Sequence, residues 1–351
     1  MPHLAILCVR NEAAFLLEWL AHHRAVGFDD FLVFSNNCTD GTDAMLDRLA
    51  EMGLLSHIRN DGPYDKGGIQ FTALKAAAKM RQVKKADWIL PLDVDEFVNI
   101  HTGEHTLTAL HEALPNATAL TLTWRLFGTS GHTRYQDTPV LDTFTRCAPV
   151  VMHWPWRSAM FKTLYRNDGT YKKPGVHRPR DPDASKIESA IWVDGAGRTL
   201  PDQFKTKRIF SNYGRDNYSL VQLNHYPLGA LETYVLKADR GRAVHSDDLL
   251  GLDYFVERNF NTDTDTSIQS LAPQRTAQLE ALKSDPILAA LHDQAVKWRK
   301  DRFTQLLQLE PFRALFGRLL MTPPTEPLSQ SAAQFLIRHA NLGRRNKAGQ
   351  P

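Results

Sequence analysis

Three cysteines in 351 residues (Cys8, Cys38 and Cys147) are too few and too scattered for a disulfide framework or a C-x-x-C metal site. Such sparing use fits a reducing compartment. No run of about 18 or more apolar residues occurs, so the sequence holds no candidate membrane span. The apolar stretch at residues 4–9 is too short, and lacks the basic flank, for a secretory signal, so the expected location is the cytoplasm. No G-x-G-x-x-G follows that stretch and no G-x-x-x-x-G-K-[ST] occurs, which argues against an NAD-type dinucleotide site and a P-loop. A formal net charge of +3 is too small to imply nucleic acid, and internal repeats are missing. With 42% hydrophobic and 23% charged residues, the composition is that of a globular protein rather than a disordered one.

Apolar runs at 4–9, 31–34, 54–58 and 88–92 alternate with stretches of helical period. Phe15, Leu16, Trp19, Leu20 and Val26 form one apolar stripe, and Gly27 suits the residue just past the end of that helix. Met45, Leu46 and Leu49 give a second helix, and residues 69–85 a third. This alternation predicts a doubly wound α/β sheet. Such sheets bind ligands beyond the carboxyl ends of their strands. Arg10, Asn11, Glu12, Asn36, Asp40, Lys66, Asp93 and Asp95 all collect at that edge.

The densest chemistry is at residues 86–99, A-D-W-I-L-P-L-D-V-D-E-F-V-N, where Asp93, Asp95 and Glu96 follow a buried-strand pattern. In an extended segment Asp93 and Asp95 point to one side and offer two hard oxygen ligands to Mg²⁺ or Mn²⁺. A lone D-x-D is more often an acidic turn, and Asp40 and Asn36 read equally well as a helix cap and a turn residue. His22 and His23 diverge by about 100° on their helix, so structural roles are expected for both.

Further on, W-x-x-F-G-x-x-G spans 124–131 after a strand pattern at 119–124, and 161–166 is another strand. Lys162, His177 and Arg178 are candidate phosphate or acceptor contacts, with a solvated basic strand as the alternative. Residues 181–208 read as a long surface loop. The strand at 221–226 leads into a helix with Lys237 and Arg240 near its end. From residue 253 the pattern is helical, broken at Pro286 and Pro311. No acid follows Glu326, while Arg338, Arg344, Arg345 and Lys347 make the end basic. Such a tail is usually solvated, and peripheral contact with an anionic membrane face is the second reading.

Three segments carry a resemblance in order: C-V-R-N-E-A-A-F-L-L-E-W-L-A-H-H-R-A-V-G-F-D, F-S-N-N-C-T-D-G-T and W-I-L-P-L-D-V-D-E-F. Together they resemble the glycosyltransferase family 2-like group, and are also similar to glycosyltransferase family 92, over roughly residues 4–245. The resemblance implies a GT-A-type fold, a Rossmann-like, mostly parallel sheet, here with a C-terminal helical extension. Taken with the helical pattern from residue 253 and the basic end, the chain divides into a catalytic domain at 1–250 (nucleotide-binding half 1–99, acceptor half 100–250), a helical extension at 251–322 and a flexible basic tail at 323–351. The implied activity moves a sugar, with inversion, from a nucleoside-diphosphate sugar to a glycan, lipid-linked or protein acceptor. A UDP-sugar is the foremost donor, and cell-surface polysaccharide synthesis the expected setting.

By the same resemblance, Asn11, Glu12, Asn36 and Asp40 lie near the nucleoside, joined at the donor by Arg10, Lys66 and Lys237, and Gln70 faces the nucleotide. Asp93 and Asp95, with His225 of an H-Y pair, would hold Mn²⁺ or Mg²⁺ on the diphosphate. The sequence departs from many family 2 enzymes in having no E-D pair after W-x-x-F-G. Asp181, Asp183 and Glu188 lie in the expected acceptor region without any being marked out, so the proton-accepting base stays unassigned, with Asp181 carried as a catalytic candidate. Two other classes stay open at this point: a metal-dependent phosphohydrolase using Asp93 as nucleophile, and a non-catalytic sugar-nucleotide-binding protein.

Overall fold

The structure, a computed structural model, describes residues 1–64, 67–154, 156–241 and 250–348. The four early apolar runs form strands β1 (His3–Val9), β2 (Asp30–Ser35), β3 (Ser56–Arg59) and β4 (Trp88–Leu92). They pair in parallel in the order β3-β2-β1-β4. Both faces of this half are covered by helices, so its central strands are buried throughout and read as unbroken hydrophobic runs. Helices α1 (Ala13–Val26) and α2 (Thr42–Glu51) pack on one face and α3 (Ile69–Ala77) on the other. Gly27 ends α1 at φ 109°, its N–H returning to the last-turn carbonyls of His23 and Arg24, as the sequence predicts.

The sheet continues past β4 with mixed directions. Its second half uses β5 (Glu96–Ile100), β6 (Ala119–Leu126), β7 (Phe161–Arg166), β8 (Trp192–Asp194) and β9 (Val221–His225). The full order is β3-β2-β1-β4-β7-β6-β9-β5, with β8 also pairing β6. Strand β7 runs antiparallel between β4 and β6, and β5 runs antiparallel to β9. Strand β5 is not apparent in the sequence pattern, because it opens on an acid and is only five residues long. It closes the sheet against α1: Trp19 Nε1 donates to the Glu96 carbonyl (3.2 Å) and His22 Nε2 bonds the Val98 carbonyl (2.8 Å). Burial draws the His22 pKa down to about 3 and His23 well below its usual range. Both rings are neutral core groups, as expected.

The C-terminal part packs back on the sheet domain. After α4 (Leu231–Arg240) come α5 (Ala272–Lys283), α6 (Pro286–Leu306), α7 (Glu310–Met321) and α8 (Gln330–Ala348). Pro286 and Pro311 stand in the first turns of α6 and α7, where a missing N–H costs nothing. Helix α5 lies on α1, while α6 spans α1, α2 and α4. The α6 contacts are pinned by Arg48–Asp285 (2.6 Å) and Arg302–Asp239 (2.8 Å). Residues 330–348, expected as a loose tail, are written as helix, consistent with their Ala, Leu, Gln and Arg content. Among the described residues no helix is long and apolar enough to cross a membrane.

One buried acid ties the two halves together. Glu18 of α1 accepts from the backbone N–H groups of Val140 (2.7 Å) and Leu141 (3.0 Å), capping a helical turn at Val140–Thr143 from outside. Burial pushes its carboxyl up to about 7. Glu18→Ala is expected to leave these donors unsatisfied and cost about 2 kcal/mol. The check is a lower urea midpoint at unchanged slope, with a smaller loss for Glu18→Gln, which keeps one acceptor.

Candidate active site

The acids past β4 sit in a tight turn rather than an extended segment: the Glu96 N–H returns to the Asp93 carbonyl at 3.1 Å. Both aspartates still face one cleft of about 420 Å³, within the size range of small-ligand sites. Its walls include Arg10, Glu12 and Asn36 from the ends of β1 and β2, and His225 from the end of β9. The strand ends thus converge as the doubly wound pattern requires.

Two lysines neutralise the aspartates. Lys162 Nζ, from β7, lies 3.0 Å from Asp93 and 3.5 Å from Glu96. Lys237 Nζ, from α4, lies 2.6 Å from Asp95 and donates to the Pro227 carbonyl at 2.8 Å. Burial alone would raise the Asp95 carboxyl, but Lys237 and His225 overcome it and hold the group well below the usual carboxylate range. Lys162 and Lys237 are correspondingly raised against their own desolvation, so both stay charged. Gln70 Nε2 donates to Asp93 at 2.9 Å, which brings that predicted residue to the cluster. His225 Nε2 is 3.7 Å from Asp95, its ring is tilted over Trp124 with centroids 4.3 Å apart, and its Nδ1 is buried without a partner.

The remaining expected residues divide. Arg10 and Arg240 exchange backbone contacts, Arg10 donating to the Arg240 carbonyl and Arg240 to that of Arg10, while Arg240 also pairs with Glu12. Asn36 lines the cleft with its Nδ2 buried and unpartnered. Asn11 adopts φ 54° and accepts from the Thr39 N–H at 2.7 Å, shaping the lip. Asp40 is used structurally: its carboxylate takes the Ala13 N–H (3.0 Å) at the start of α1 and the Thr42 N–H (2.9 Å) at the start of α2. Asp181 is not brought to the cleft, for it is an exposed hairpin residue paired with Lys173 at 2.7 Å. Lys66 falls outside the described residues.

Some lining residues were not singled out by sequence. Arg258 and Tyr254, from the region read only as helical packing, reach the cleft with the Arg258 guanidinium 3.6 Å from the Tyr254 ring centre. No motif marks either position. Glu96 had a signal, its place beside the D-x-D, but not its role. It is fully buried, accepting from Trp124 Nε1 (2.6 Å) and the Asp93 N–H (2.9 Å), and so fixes the turn from behind.

A divalent ion was expected on these acids. Among the described residues no three His, Cys, Asp or Glu side chains are grouped to hold one unaided. Two carboxylates on one turn nevertheless fit a magnesium- or manganese-type site, which is ordinarily completed by substrate phosphates. The paired lysines mark how much negative charge the turn concentrates.

Residues 5–187 match the profile of Glycosyltransferase family 92. A glycosyltransferase family 92 protein of Ricinus communis is 27% identical over 137 residues, which cover 37% of this chain and 24% of that protein. One of Oryza sativa subsp. japonica is 26% identical over 151 residues, covering 41% and 24%. The matched stretch is thus about a quarter of the length of these curated relatives. Among solved structures, Staphylococcus aureus TarS 1–349 in complex with UDP-GlcNAc is similar at 16% identity and a TM-score of 0.32, over 81% of this chain and 74% of that one.

Burial pushes the Glu96 carboxyl up to about 8 against the pull of Lys162, with Asp93 and Asp95 adding to the shift. The folded state therefore holds this proton between the ordinary carboxyl range and about pH 8, where the unfolded chain has released it. Stability is expected to fall as pH rises through that window, by up to about 1.4 kcal/mol per unit. Glu96→Gln should flatten the stability profile between pH 5 and 8 in urea titrations, whereas an unchanged slope would assign the proton elsewhere.

Proposed function

The chain belongs to glycosyltransferase family 92, and from that premise we propose that its cleft transfers a sugar from a nucleoside-diphosphate donor, foremost a UDP-sugar, to an acceptor hydroxyl. The observation that carries this is the meeting of Asp93 and Asp95 with Arg10, Lys237, Arg240 and Arg258 around one cleft, with Lys162 buried behind Asp93. Lys237, Arg240 and Arg258 each pair with an acid of the protein, and all three line the cleft where the charge of a diphosphate would meet them.

Breaking the anomeric C–O bond passes through an oxocarbenium-like state, and the departing diphosphate gains negative charge. A Mg²⁺ or Mn²⁺ ion bound by Asp93 and Asp95, with His225 alongside, would supply Lewis-acid stabilisation of that charge. Lys237, held protonated beside Asp95, lines the same cleft and would add electrostatic stabilisation as that charge develops, while Lys162 supports Asp93 from behind. Lys237 is the better placed of the two to shift from its aspartate to phosphate, since it lines the cleft and Lys162 does not. Asn36, with a free buried amide, is assigned to the nucleoside. Inversion at the anomeric carbon, and a glycan, lipid-linked or protein acceptor, complete the proposal as family expectations.

Contact of α8 with an anionic membrane surface is part of the same proposal. Phe335, Leu336 and Leu342 are exposed on it beside Arg338, and basic amphipathic helices bind such surfaces. Vesicles containing phosphatidylglycerol should sediment the protein, and Phe335→Glu should release it. Equal recovery on neutral vesicles would remove the charge component.

For the donor site, UDP at about 100-fold over its Kd is expected to raise the melting temperature by about 4 °C when Mn²⁺ or Mg²⁺ is present, and not with EDTA. Asp95→Asn should abolish the shift. If no UDP-, GDP- or CDP-sugar shifts the wild type, the donor assignment fails; a shift without turnover would favour a binding protein on this fold.

A further inference from the structure

Behind the cleft lies a second, more enclosed cavity of about 70 Å³. The two share a wall made of Glu12, Val94, Asp95, Lys237 and Arg240, so the pairs Glu12–Arg240 and Asp95–Lys237 stand between them. Its other sides come from α1, from the 132–144 loop capped by Glu18, and from α6. Phe15, Phe97, Phe144, Leu236 and Trp298 make much of this surface apolar.

One cation intrudes. Arg299 of α6 is 3% exposed, with its guanidinium carbon 4.5 Å from the Phe15 ring centre and 4.8 Å from that of Tyr135. The two rings fix and attract it, yet they accept none of its hydrogen bonds in the plane. Its Nε and Nη2 have no partner. Among the described residues no carboxylate forms an ion pair with it, because the neighbouring Glu12 is already taken by Arg240. A guanidinium does not shed its proton in a protein. Burial thus leaves a positive charge with Glu12 and Asp40 nearby but no ion-pair partner among the described residues, beside a space next to the D-x-D turn, and buried charges are ordinarily paired.

We infer that this cavity is a subsite for a small carboxylate group, recognised by Arg299 and coupled through the Asp95–Lys237 wall to the donor cleft. Guanidinium planes match carboxylates in fork geometry. Lys237 and Arg240 on the shared wall already answer Asp95 and Glu12, and Arg134 is exposed, so Arg299 is the buried cation left to balance a single negative charge, whereas a phosphate dianion is better served by the cation-rich cleft in front. The volume holds only a few water-sized groups, at roughly 10–15 Å³ each. A carboxylate with a few attached atoms fits, and a nucleotide does not. The carboxylate belongs either to an acidic sugar unit of the acceptor, whose carboxylate alone would enter while its ring stays outside, or to a free small acid acting as an effector. The first source rests on the transferase proposal and the second does not.

The test titrates the full chain with sodium acetate, with methyl β-glucuronide and with methyl β-glucoside at constant ionic strength, following melting temperature and calorimetric heat. Saturable binding of glucuronide, strengthened by UDP and Mn²⁺, with none for the neutral glucoside, identifies the acceptor as source. Saturable acetate binding that is indifferent to UDP identifies a free acid. In either case Arg299→Met should weaken the carboxylate at least tenfold while the UDP-dependent melting shift persists, so failure here is distinguishable from failure of the donor site. Should Arg299→Met not fold, Arg299→Lys, which keeps the charge and loses the planar fork, should also weaken binding at least tenfold. No saturable carboxylate binding, or equal binding by the folded variant, overturns the inference.

Discussion

The contact on which the rest of the site depends is the one between Asp95 and Lys237 at 2.6 Å. It joins the turn after β4 to helix α4, elements 142 residues apart in sequence, and it does so at the border of two cavities. Removing either partner leaves the other charged at the cleft wall without its neutralising group. The pair is therefore a constraint on the fold as well as a reserve of charge for a ligand. Lys162 does the same for Asp93 from β7, so each acid of the turn is answered by a cation from a different part of the sheet domain.

Such long-range pairing explains which parts of the site the sequence could disclose. Strand ends are local: the apolar runs at 4–9, 31–34 and 88–92 announce β1, β2 and β4, and with them the edge where Arg10, Asn36 and Asp93 gather. The helix breaks at Pro286 and Pro311 are equally local, fixed by the missing N–H. Partners brought in from elsewhere are not. Asp40 has the same residue type and strand-end position as a nucleotide contact, and only the arrival of the Ala13 N–H at 3.0 Å shows it to be a shared helix cap. Asp181 sat in a polar stretch that read as acceptor region, yet its hairpin turns it toward Lys173. Arg258 and Arg299 carry no motif at all, being ordinary basic residues of a helical region until the fold sets them beside the cleft and its neighbour.

The C-terminal helices thus do more than bury apolar surface. Helix α6 contacts three elements of the sheet domain, delivers Arg299 behind the acidic turn, and is locked by the Arg48 and Arg302 ion pairs to α2 and α4. Boundaries drawn by composition separate this helix from the catalytic part at residue 251. Physically it completes one wall of that part.

The arrangement around β5 bears on how the molecule behaves among copies of itself. An outermost strand offers a row of bare carbonyls to any passing backbone. Here the outward carbonyls of Glu96, Val98 and Ile100 are met in turn by Trp19, His22 and His105. Three aromatic side chains stand in for a neighbouring strand and seal that margin against strand addition by another chain. Because Glu96 also forms the back of the acidic turn, the same seal that discourages aggregation holds the charged lip in register.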